Sequence, residues 1–134
     1  MKQSYFYHFL APISKELARN LKELEGSIFT SPRAMISHSR TLMENVLDKV
    51  MIHENIVREL KADKSILNKI DVIHRHELLS QDELDALHGI RMLGNQASHD
   101  IRQFRFSEAL MVWEYLHTVM TWFVEIYVTH KVDV

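Results

Sequence analysis

Ser80-Gln-Asp-Glu-Leu-Asp-Ala-Leu-His-Gly-Ile-Arg-Met-Leu-Gly-Asn-Gln-Ala-Ser-His-Asp100 decides the fold. It opens as a capping box: Ser80 and Glu83 each satisfy a backbone amide of the other. Leu84, Leu87, Ile90 and Leu93 follow at helical spacing. The stretch closes on a glycine, an amide, an imidazole and a carboxylate within ten residues, Arg91 to Asp100. A capped helix with one apolar stripe and a polar end is a bundle element, and the polar end is the place for a site.

Four further segments read the same way. Ile13, Leu17, Leu21 and Leu24 form the stripe of a helix from about Ile13 that Gly26 should stop. Ser31-Pro32 starts a second, with serine expected to accept from first-turn amides and proline at the first helical position. Its stripe is Met35, Ile36, Leu42, Met43, Val46, Leu47, Val50 and Met51. Residues 53–63 are short and polar, and read equally as helix or loop. A third helix is expected from about Ser65 to His76, with Ile66, Leu67, Ile70 and Ile73 inward. The last begins near Ser107 and runs to about His130. Leu110, Trp113, Leu116, Met120, Phe123 and Tyr127 make one apolar face, and Val112, Val119, Trp122 and Ile126 a second. A helix apolar on most sides is buried on most sides. In so small a bundle this predicts a homodimer through Trp113, Met120, Trp122 and Phe123.

Composition agrees with one all-α domain spanning residues 1–134. The chain is 46% hydrophobic, with only two prolines and three glycines among 134 residues, too few for a sandwich or barrel. No alternating strand pattern, repeat or linker interrupts it. The net charge of −2 lacks the basic footprint that dominates nucleic-acid affinity, so nucleic acid is a partner without support from charge. Cysteine is absent, which removes disulfides and thiolate ligands and suits a cytoplasmic protein. The start is too short and interrupted for a secretory signal. Ala109 to Val128 is long enough to span a bilayer, but Glu114, His117 and Glu125 interrupt it, so no membrane span is expected.

No cofactor signature is present. His74 and His76 are two apart and point different ways on a helix, and no metal-binding spacing appears, so no metal is expected. His117, among apolar residues, is expected to be a hydrogen-bonded core histidine. Arg91, Arg102 and Arg105 read first as ordinary surface charge and second as a small anion patch. Arg91, Asn95 and His99 recur every four residues and share a face if the helix reaches that far. Gly94 permits a close helix approach there. Arg40 and Glu44, also four apart, border the apolar stripe of the second helix. A network of Arg40, Glu44, Asn95, His99 and Asp100 across the bundle is the expectation, with a solvated surface pair as the alternative.

Ser31-Pro-Arg-Ala-Met-Ile-Ser-His-Ser-Arg40-Thr-Leu-Met-Glu44, then Leu67-x-x-Ile70, then Ile90-Arg91-x-Leu-Gly94-Asn95-x-Ala97-x-His99, resembles the DUF4145 family over about residues 20–128. That family belongs to the HEPN-like group of helical domains, which implies a HEPN-like bundle of four to five helices. Similar domains stand at the amino end of type I restriction-enzyme motor subunits and beside other defence modules. The resemblance implies a non-catalytic interaction or regulatory module of prokaryotic nucleic-acid processing or phage defence, or an adaptor for a partner protein of such a system. Some HEPN proteins are metal-independent ribonucleases that use an arginine followed at short range by a histidine, paired across a dimer. Arg91 and His99 are the candidates for that chemistry, in which histidine moves protons and arginine holds phosphate. Seven residues separate them, a longer gap than that pattern carries, which turns the histidine further round the helix by about 100°. Arg102 is the substitute arginine this leaves.

Overall fold

The computed structural model describes residues 10–132, with side chains to Ile126. Among the described residues the chain is all helical. The helices are α1 (Lys15–Ser27), α2 (Pro32–His53), α3 (Ile66–Arg75), α4 (Gln81–His99) and α5 (Phe106–Val132). A 3₁₀ turn, Val57–Leu60, lies between α2 and α3 and resolves the ambiguous segment: Ile56 and Leu60 turn inward while Asn55 and Lys61 take positive φ.

The helix boundaries follow the sequence with two exceptions, one at a start and one at an end. Ser14, Ser65 and Ser80 each accept from the amide three residues on, and Glu83 closes the capping box back onto Ser80. Ser31 stands at the N-cap of α2 without a side-chain hydrogen bond, so proline at the first position carries that start. Gly26 does not stop α1, which continues through Ser27 with no glycine at positive φ.

Helices α2, α4 and α5 pack against one another as a central triad. Helix α1 leans on α2, and α3 bridges α2 and α4. The α2 stripe is buried as the periodicity requires. Two inward assignments fail: Leu67 and Leu110 are exposed. On α3 the place goes to Lys69, whose side chain is 9% exposed. Its ammonium sits 2.8 Å from both Glu44 and Asp48, one turn apart on α2. Burial alone would lower the Lys69 pKa, but the two carboxylates outweigh it and raise the value.

The triad also corrects the expected dimer face. Trp113, Met120, Trp122 and Phe123 are buried within the single chain, because α2 and α4 enclose α5. The Trp122 indole donates to the Leu78 carbonyl at 2.8 Å. Those four side chains are therefore core, not an exposed surface waiting for a partner. The Tyr127 side chain lies outside the described residues. No helix among the described residues is long and apolar enough to cross a membrane.

Candidate functional site

The seam between α2 and α4 carries most of the residues singled out in the sequence. The two helices run antiparallel along it: Arg33, in the first turn of α2, reaches the last turn of α4. Its Nη1 donates to the carbonyls of Ala97 (2.8 Å) and Asp100 (2.6 Å), and its Nη2 to that of Arg102. Carbonyls at a helix C-terminus lack intrahelical partners and carry partial negative charge, so a guanidinium is well suited to them. One turn along, the Ser37 and Ser98 hydroxyls meet at 3.1 Å, and Ser98 donates to the Gly94 carbonyl. A further turn along, Arg40 lies over Gly94. A Cβ added to Gly94 would stand 2.5 Å from the Arg40 Cβ and 3.0 Å from its Cδ. The missing side chain of Gly94 thus accommodates the aliphatic stem of Arg40.

The expected five-residue network does not form. Glu44 turns to Lys69 on α3 instead of Arg40. Arg40 makes no hydrogen bond or ion pair among the described residues, and its Nε is buried without a partner. Asn95, His99 and Asp100 are exposed. They line a shallow groove of about 310 Å³ on the outer side of α4 with Arg91, Met92 and Gln96. Arg91 and His99 therefore do share a groove, as their common face requires, but neither touches Glu44. Arg91 is engaged elsewhere: its Nε donates to His88 Nδ1 at 3.3 Å. Burial first, then the Arg91 charge, hold His88 below the usual imidazole range, against the pull of Asp71 and Asp85. Neutral His88 is the form that accepts this bond.

Arg102 is not free to replace Arg91. Its guanidinium grips Glu108 at 2.9 and 3.2 Å and donates to Gln96 at 2.9 Å. Glu108 in turn accepts from the Arg105 amide at 3.0 Å and so caps α5. The hydrogen bond from Arg102, then that amide, hold the Glu108 carboxyl below its ordinary range. Arg33 and Arg102 both lie against the Phe104 ring, at 4.8 and 3.9 Å from its centroid. The α4–α5 connection is therefore braced on both sides. At its tip Ile101 is 99% exposed. Phe29 and Phe106 meet edge to face at 5.3 Å beside the same end of the bundle, and both are exposed.

Sequence reasoning missed Arg33, Phe104 and Ile101. Position beside Pro32 marks Arg33 as a first-turn residue, but nothing local shows which helix end lies within its reach. His117 is half-buried rather than core. It meets Trp113 edge to face at 5.5 Å and lines a second groove with Ser80, Asp82, Glu83 and Glu125. Burial lowers its pKa, opposed by Glu25 and Glu114. Among the described residues no cluster has the make-up of a metal site.

No curated protein and no solved structure matches the chain. A family model described as a domain of unknown function does match, over residues 22–131, which includes the seam and both grooves. The chain therefore belongs to the DUF4145 family.

Proposed function

We propose that this protein is a non-catalytic interaction module, HEPN-like in kind, serving prokaryotic nucleic-acid processing or phage defence through a homodimer or a partner protein in the cytoplasm. The resemblance described above supplies the setting. The braced α4–α5 connection is the observation that carries the interaction role. Arg33 and Arg102 commit seven hydrogen bonds and two ring contacts around a connection that leaves Ile101 fully in water. Holding an apolar side chain rigidly in solvent lowers the ordering cost of binding. Phe29 and Phe106, packed together, and Leu110 and Met111 in the first turns of α5 are exposed as well. Exposed apolar surface, when gathered in one patch, marks contact sites.

This reading moves the contact from the middle of α5 to one end of the bundle. Light scattering on Ile101→Asp and on Trp122→Phe tests it. The first variant should dissociate a dimer while keeping the wild-type melting temperature. The second should destabilise the fold and leave association unchanged. A dimer that survives Ile101→Asp together with Phe106→Asp contradicts the assignment.

The shared groove of Arg91 and His99 favours a second reading, metal-independent cleavage of RNA. It requires cleavage of single-stranded RNA by the purified protein that disappears in both Arg91→Ala and His99→Ala. Absence of cleavage across varied RNAs removes it.

A further inference from the structure

Helices α1 and α2 enclose a third groove, of about 410 Å³, larger than the one on α4. Each helix lines it from positions i, i+3, i+4 and i+7, which is one helix face over two turns. On α1 these run from Asn20 to Ser27, and on α2 from His38 to Asn45. The chain reverses between the two helices, so Ser27 and His38 stand nearest the reversal and the two asparagines furthest from it. Leu24 and Leu42 are buried and form the apolar floor. Two carboxamides, an imidazole and the hydroxyls of Ser27 and Thr41 form the walls. A small cavity with an apolar surface and a few convergent polar groups has the make-up of a small-molecule site.

This face of α2 differs from the one beside it. Ser37 and Arg40 lie against α4, whereas His38, Thr41 and Asn45 turn to the α1 groove. Asn20, His38, Thr41 and Asn45 make no hydrogen bond among the described residues. All four are weaker helix formers than the lysines, glutamate and arginine on the exposed face of α1, Lys15, Glu16, Arg19 and Lys22. Four such residues gathered on one groove, with no intramolecular bond in return, leave their polar groups free for a ligand.

The walls also limit what that ligand is. No lysine or arginine lines the groove, and its one charged group is Glu23, exposed at the rim and 3.9 Å from Arg19. An anion is therefore disfavoured, a phosphate included. A carboxamide carries a donor and an acceptor side by side, so it pairs at two points with an edge that offers the reverse. The N6 amino group and N7 of adenine form such an edge. The flat face of a purine suits the leucine floor, and an imidazole such as that of His38 can stack on the ring.

We infer that the α1–α2 groove binds an uncharged purine, free or as a nucleoside, with Asn20 and Asn45 pairing to its edge and Leu24 and Leu42 taking its face. The site uses no residue of the contact surface around Ile101 and none of the groove shared by Arg91 and His99.

Side-chain and backbone amide NMR signals of the full chain, titrated separately with adenine, adenosine and adenosine monophosphate, provide the test. Adenine or adenosine should give saturable shifts at the Asn20 and Asn45 carboxamides and at the backbone amides of residues 20–27 and 38–45. Tighter binding of adenosine identifies the nucleoside as the ligand, and adenine binding as well or better identifies the base. Asn20→Ala and Asn45→Ala should each weaken binding by about tenfold. Their melting temperatures should equal or exceed that of the wild type, because alanine favours the helix and no intramolecular bond is lost. Absence of saturable shifts with both compounds, alanine variants that bind as the wild type does, or monophosphate binding tighter than adenosine each overturn the inference. Shifts at the same residues that follow protein concentration without ligand identify a second copy as the occupant and overturn it as well. A marked drop in the melting temperature of both alanine variants overturns the site by showing that the carboxamides already serve the fold.

Discussion

Arg33 and Arg40 stand two turns apart on α2, face the same helix, and differ in almost every other respect. Arg33 spends its donors on the C-terminal end of α4 and the following connection. Arg40 spends none on the protein and contacts α4 through its carbon stem. The first contact is electrostatic and fixes where α4 ends. The second is steric and fixes how near α4 lies. An arginine in a helix seam can thus close a structure or leave charge available, depending on whether unpaired carbonyls are within its reach.

The comparison breaks most visibly at Arg33. Arg33→Ala should destabilise the fold by about 2–3 kcal/mol, measured by denaturant unfolding, since three carbonyls lose a charged donor and one of them is partly buried. Lys69→Met should cost about 1–2 kcal/mol, less than a fully buried pair, because Glu44 and Asp48 are partly solvated. The raised Lys69 pKa sets the pH window for this contribution. It is complete below the ordinary lysine range and is lost as pH climbs through the folded value, so the wild-type advantage over Lys69→Met should shrink only in strong alkali.

Gly94→Ala should cost about 1 kcal/mol. The clash with Arg40 Cβ outweighs the gain of about 1 kcal/mol in helix propensity. On the acid side the depressed groups His88, His117 and Glu108 act together. His88 and His117 resist protonation in the folded state, so stability falls as pH drops through the imidazole range. Glu108 adds a second fall lower down, as pH passes from its ordinary range through its depressed folded value. A stability profile flat from pH 7 to pH 4 contradicts the histidine assignments, and one with no further fall below the ordinary glutamate range contradicts that of Glu108. Arg40→Met gives the smallest effect: stability within about 0.5 kcal/mol of wild type or slightly above it, in contrast to Arg33→Ala.

Much of the fold was legible because helix signals are local. The Ser80–Glu83 capping box, the Pro32 start and the α2 stripe each depend on a few neighbouring residues. The errors arise where a neighbour in space decides. Leu67 fits the inward stripe of α3, yet Lys69 takes the buried place because two carboxylates of α2 meet it there. The same pairing explains the failed network. Spacing correctly put Arg40 and Glu44 on one side of α2, but could not show that α3 captures Glu44 first. The apolar breadth of α5 signals burial, but not whose atoms supply the cover, and α2 and α4 of the same chain do. Of the groove residues, Arg91, Asn95 and His99 were found from their periodicity on α4. Arg33 and Phe104 escaped notice because their roles depend on the meeting of two chain segments more than sixty residues apart.

Gly94 has a counterpart on the same helix. A Cβ on Gly89 would stand 2.4 Å from the Tyr115 ring of α5, as one on Gly94 would press on Arg40 of α2. Five residues apart, the two bare positions face directions about 140° from each other. Helix α4 is in effect a keyed shaft, flattened on two sides to receive two different wards. Turning it would swing a side chain into Tyr115 or Arg40, and sliding it by one turn would do the same. The compass bearing at which α4 presents Met92, Asn95 and His99 to solvent is therefore set from behind, by two residues that have no side chain at all.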